Sequence, residues 1–148
     1  MPTISFDFFF TKSDGKEAKG DEPDSITSLI VVDSHSSFLS CVPMEGKAQL
    51  DHANREIIKF VQMLGYSEII LHCDNEPAIL QLKRLVLRTR QSMGLKTRES
   101  SSVAYDKSNS LAENAVGRVR PLACSLMHNF MGELVCSCPP AVPFGHGP

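Results

Sequence analysis

The hydrophobic pattern of this chain changes period near residue 49, and that change constrains the fold more than any other feature. Over residues 3–11, Ile4, Phe6, Phe8 and Phe10 alternate with Ser5, Asp7, Phe9 and Thr11, the period-two pattern of a strand. Asp7 therefore points away from the main phenylalanine row. Residues 12–25 are polar and contain Gly15, Gly20 and Pro23, so they read as a long hairpin connection or an inserted loop. Residues 28–32 and 38–44 are β-rich, with Asp33, Ser34, His35 and Ser36 as turn material between them. Three consecutive strands predict an antiparallel meander.

From Gln49 onward the apolar residues Leu50, Ala53, Ile57, Val61 and Leu64 mark a helical stripe that Gly65 ends. Residues 68–73 form a short apolar segment. A strand reached through a helical crossover normally lies parallel to an earlier one, here the first. Pro77 suits the first turn of a helix over 78–92, which carries Ile79, Leu82, Leu85 and Val86 and is closed by Gly94. Residues 95–101 provide a last short strand and 102–108 a polar, mobile connection. Leu111, Ala115, Val119, Leu122 and Leu126 then repeat at helical spacing, and Pro121 is expected to kink or interrupt that helix. The chain from Cys136 is rich in proline and glycine and predicts an irregular tail. The expected architecture is α/β, a mixed five-stranded sheet flanked by helices, with strands 1–3 antiparallel and strands 4–5 parallel. A single domain over 1–134, with a loop insertion at 12–25 and a tail at 135–148, accounts for the length.

Composition narrows the class. With 42% hydrophobic and 22% charged residues the chain suits a soluble globular protein, and no apolar run approaches the roughly 18 residues needed to span a bilayer. The amino terminus lacks a basic leader and an apolar h-region, so an intracellular location, nuclear or cytoplasmic, is the expectation. Cys41, Cys73, Cys124, Cys136 and Cys138 have neither zinc-ribbon nor obvious disulfide spacing and read as reduced thiols. Cys136 and Cys138 flank one serine, and a pair so placed in a tail is more often incidental than metal-binding. The net charge of −2 is unevenly spread: residues 83–120 hold nine bases against Glu99, Asp106 and Glu113. Such a segment suits either a polyanionic partner or a solvated helix face.

Three acids carry the chemical signal. Asp7 lies in an aromatic strand, Asp74 at the end of an apolar one, and Glu113 near the start of the last helix. Magnesium prefers oxygen ligands and keeps several waters, so a phosphate-processing site needs only a few carboxylates on rigid elements. Each acid also has a structural role open to it. Asp7 suits an exposed edge strand, Asp74 a turn before Pro77, and Glu113 a capping box with Ser110. His72 and Cys73 fall on opposite sheet faces by alternation, which favours packing over a zinc site.

At these residues the chain resembles the retroviral and retrotransposon integrase catalytic core, copia-type elements especially, within the RNase H-like superfamily. That family carries an Asp in its first strand, an Asp in an Asp-Asn-Gly-like turn after the fourth, and a Glu in an Asn-Gly-x-x-Glu-like helix. Asp7, Asp74-Asn75 and Asn109-Ser110-Leu111-Ala112-Glu113 occupy those places. Glu76 and Ser110 stand where glycines would be expected, and Asn114 where arginine is common. The resemblance implies that Asp7, Asp74 and Glu113 hold Mg²⁺ or Mn²⁺ for DNA 3′-end processing and strand transfer, with Asn109, Arg118 and Arg120 contacting nucleic acid. It implies DNA as partner, both element ends and target, and a homodimer, with no membrane and no small-molecule substrate. A catalytically inactive nucleic-acid-binding remnant of a retrotransposon and a related RNase H-like nuclease are the alternatives.

Overall fold

The structure is a computed structural model and describes residues 1–12, 25–100 and 110–137. Five strands form one sheet: β1 (Thr3–Lys12), β2 (Ser25–Asp33), β3 (Leu39–Met44), β4 (Glu68–His72) and β5 (Lys96–Glu99), in the order β3-β2-β1-β4-β5. Three helices accompany them: α1 (Leu50–Leu64), α2 (Pro77–Ser92) and α3 (Ser110–Ser137). The expected mixed sheet is what forms. β1 pairs antiparallel with β2, and β2 with β3, whereas β4 lies parallel to β1 and β5 parallel to β4.

The alternation in β1 divides its side chains between two cores. Ile4, Phe6 and Phe8 join Leu29, Val31, Ile69 and Leu71 beneath α1 and α2, whose Ile57, Val61, Ile79, Leu82 and Val86 close that face. Phe9 faces the other way, with Ile30, Val32 and the α3 residues Ala112 and Ala115. Each fully buried aliphatic side chain contributes about 1.5–3 kcal/mol. The larger core fixes which way β1 faces. A slip of one residue would expose its aromatic row.

Local signals end the helices. Gly65 adopts a left-handed conformation at φ 74° after α1, and Pro77 starts α2 where its missing N–H is no loss. Helix α3 differs from expectation, since it runs through Pro121 without interruption. Proline forfeits one backbone hydrogen bond and strains one turn. The unbroken ladder on both sides offsets that local loss. The helix also continues to Ser137, past the start of the expected tail. The inserted loop between β1 and β2, the polar connection before α3 and the rest of the tail lie outside the described residues. Among the described residues, Cys41 and Cys73 are free thiols and no helix is long and apolar enough to cross a membrane.

Buried basic residues tie the β5 edge to the body. Arg90 is 1% exposed, and its guanidinium donates to Thr97 Oγ1 at 2.7 Å and to the Ser67 carbonyl at 3.2 Å. Lys83 is also buried and lies 3.6 Å from Glu99. Both belong to the basic segment that the sequence offers to a polyanion. Folding turns them inward, leaving Arg84, Arg88, Lys96, Arg98 and Arg118 exposed.

Candidate functional site

Asp7 occupies the middle of β1, itself the central strand, opposite Ile30. Its alternation puts it on the α3 side with Phe9. In the parallel ladder Ser5 pairs with His72, where β4 ends. Asp74 follows two residues past that last ladder pair, and its charge acts on Asp7. Parallel pairing thus makes neighbours of two acids that lie far apart in the chain.

Glu113 reaches the same region from the first turn of α3. It is exposed, and it lines a cavity of about 270 Å³ together with Asp7, Phe8, Phe9, Phe10, Val116 and Arg120. The short residues Ala112 and Ala115 let the helix settle on Phe9, Ile30 and Val32 and so set the height of Glu113 above the sheet.

Burial first, and then the charges of Asp74, Glu76 and Glu113, push the Asp7 carboxyl up to about 6 against the opposing Phe8 N–H, which donates to its Oδ1 at 2.8 Å. Four acids therefore share one electrostatic neighbourhood. Among the described residues, however, no three His, Cys, Asp or Glu side chains gather closely enough to hold one ion. The oxygen donor set suits a hard divalent cation, whose charge would relieve the repulsion felt at Asp7.

The remaining candidates divide. Arg120 is partly buried, with its guanidinium carbon 6.0 Å from the Phe9 ring centre, while Arg118 is exposed one position beyond Gly117. Asn109 lies outside the described residues. Glu76, where a glycine is expected, caps α2 without a side-chain bond to the helix and pairs instead with Lys47. Lys47 also rests 5.0 Å from the Phe10 ring centre. No turn pattern signalled that pairing, because Lys47 precedes α1 and reaches Glu76 only through tertiary packing.

No family model and no curated protein sequence matches the chain. Among solved structures, it is similar to the HTLV-2 integrase catalytic core domain in complex with magnesium, in its trimeric form. The TM-score is 0.57 at 16% identity, over 86% of this chain and 72% of that one. The dimeric form of the same domain aligns with a TM-score of 0.39 at 19% identity, over 66% of this chain and 59% of that one. The first alignment establishes that the chain shares the α/β fold of that integrase catalytic core domain.

Proposed function

We propose that this chain is an integrase-type polynucleotidyl transferase core of copia-like retrotransposon origin. The observation that carries the reading is Asp7, a partly buried carboxyl at the centre of the sheet, held in the field of Asp74, Glu76 and Glu113. An acid so placed would be costly for a structural role alone, and it calls for a positive partner. Asp7, Asp74 and Glu113 would hold Mg²⁺ or Mn²⁺. The bound ions would supply activation of an attacking oxygen and charge stabilisation at phosphorus.

The chain's own groups then have distinct tasks. Asp7 lies within β1 and Asp74 just past the carboxyl end of the adjoining parallel strand β4, the end that favours ligand binding in open α/β sheets. Glu113 approaches from a separate element, so the placement of α3 governs completion of the set. Arg120, beside Phe9 and on the cavity wall, is suited to a phosphate of the DNA backbone. No side-chain nucleophile is required, since water or a DNA 3′ hydroxyl attacks the phosphodiester. End trimming and strand transfer use the same centre, and DNA is the partner, with a homodimer as the assembly.

The test is strand cleavage and transfer on a labelled duplex carrying element ends, with and without Mn²⁺. Asp74→Asn should abolish metal-dependent turnover while leaving the far-UV circular dichroism spectrum unchanged. Turnover retained in that variant refutes the assignment. One observation favours a second reading: among the described residues the carboxylates do not close into a single group, and Glu76, in the place of a turn glycine, is tied to Lys47. An inactive nucleic-acid-binding remnant would bind DNA in a salt-sensitive way and never cleave it.

A further inference from the structure

His72 ends β4 on the sheet face that carries Asp7, because it pairs with Ser5 and alternation returns Asp7 to the same side. Its Nδ1 shares a hydrogen bond with Ser100 Oγ at 3.0 Å. Its Nε2 is buried and has no hydrogen-bond partner among the described residues. Buried polar atoms are almost always paired, so an unpartnered ring nitrogen in the field of Asp74 requires an explanation. In the tautomer in which the Ser100 hydroxyl donates to Nδ1, the imidazole proton falls on Nε2, which is then a donor. Asp74, two residues on, brings its negative charge within range of this ring.

We propose that His72 is a positioning residue for the carboxylate site, its Nε2–H donating to Asp74 when that carboxylate engages a divalent cation. The inference rests on the ligand reading of Asp7, Asp74 and Glu113 and adds to it a residue outside the acidic set. Ligand carboxylates at metal sites are themselves held by hydrogen bonds, and loss of such a partner typically weakens metal binding. Ser100 becomes the second link, because it fixes the ring from the far side. The device spans two neighbouring strands, β4 and the end of β5, and so needs the parallel pairing of the sheet.

The experiment is direct Mn²⁺ titration of the full chain, followed by electron paramagnetic resonance of the free ion, for wild type, His72→Asn, His72→Gln, Ser100→Ala and Asp74→Asn. Asparagine can replace only the Nδ1 contact, whereas glutamine carries its amide nitrogen out to the Nε2 position. His72→Asn should weaken Mn²⁺ binding about ten-fold or more, with His72→Gln close to wild type. Ser100→Ala leaves the imidazole in place and should move affinity in the same direction as His72→Asn, by less. Wild-type affinity in both His72→Asn and Ser100→Ala, or equal losses in the asparagine and glutamine variants, would overturn the role of His72. Undiminished binding in Asp74→Asn would overturn the metal reading itself and this inference with it. Lost binding in Asp74→Asn alone overturns only the inference.

Discussion

Asp7 on the central strand and Glu113 on α3 line one cavity, from opposite ends of the chain and from different layers of the fold. The helix can bring its acid there only because Ala112 and Ala115 pack closely on the sheet. The energetic consequence falls on Asp7, whose carboxyl is raised to about 6 by burial and then by neighbouring negative charge.

A raised carboxyl favours the protonated folded state, so its penalty is absent below the unfolded value of 3.8 and grows as pH climbs through about 6. Asp7→Asn should therefore stabilise the protein by about 1–2 kcal/mol near neutral pH, after allowing for solvent screening. It should leave stability unchanged at pH values below the unfolded pKa. Urea unfolding on either side of that window measures the difference.

Asp33 has the opposite sign. Burial works against its charge, but the Ser36 and Tyr66 hydroxyls and the His35 and Ser36 amides outweigh that penalty and hold the carboxyl below its ordinary range. Tyr66 donates at 2.7 Å and Ser36 Oγ at 2.6 Å. The stability Asp33 contributes is present above the unfolded pKa and is lost as pH falls through the folded one. Replacing Asp33 with alanine should cost about 2–4 kcal/mol at neutral pH, since several donors lose their acceptor together. Denaturant midpoints at neutral and acid pH should converge between wild type and variant as pH falls.

Arg90 is a structural cation. Arg90→Ala removes donors from Thr97 and the Ser67 carbonyl and leaves a void, which should destabilise the fold by about 3 kcal/mol. Arg90→Lys keeps the charge without the planar fork and should recover only part of it. Amide hydrogen exchange in β5 should quicken in both variants, and unchanged protection would show that Arg90 does not anchor the edge.

Pro121 lies inside α3 and is exposed. Pro121→Ala restores one backbone donor and should stabilise the helix by up to about 3 kcal/mol. A higher melting temperature with increased ellipticity at 222 nm is the expected result. No gain would mean that the turn around Pro121 is already strained for another reason.

Under the proposed function, Arg120→Gln should weaken DNA binding across sequences and lower the slope of log affinity against log salt by about 1. Fluorescence anisotropy with a labelled duplex over a salt series reads both quantities. An unchanged slope would assign Arg120 to packing against Phe9.

The expected elements and their pairing emerged because they rest on local physics: period-two alternation in residues 3–11, a 3.6-residue stripe from Leu50 to Leu64, and Gly65 and Pro77 at their boundaries. The same alternation separated His72 from Cys73, and the structure accordingly buries Cys73 in the larger core while His72 lies on the sheet face that carries Asp7. Pro121 does not interrupt α3, one of the two outcomes its sequence position suggested, because a helix secured on both sides can carry such a defect. The basic segment was legible only in part, since one-dimensional counting cannot tell that Lys83 and Arg90 turn inward.

Sequence by itself determined the strand and helix order, the side of β1 on which Asp7 lies, and the three acids worth following. Only tertiary structure decided that Asp74 comes within electrostatic range of Asp7, that Glu76 is engaged by Lys47, and that His72 Nε2 is left without a partner among the described residues. The reason is range: propensity and periodicity act over a few residues, whereas register, charge proximity and burial depend on which distant segments the cores bring together.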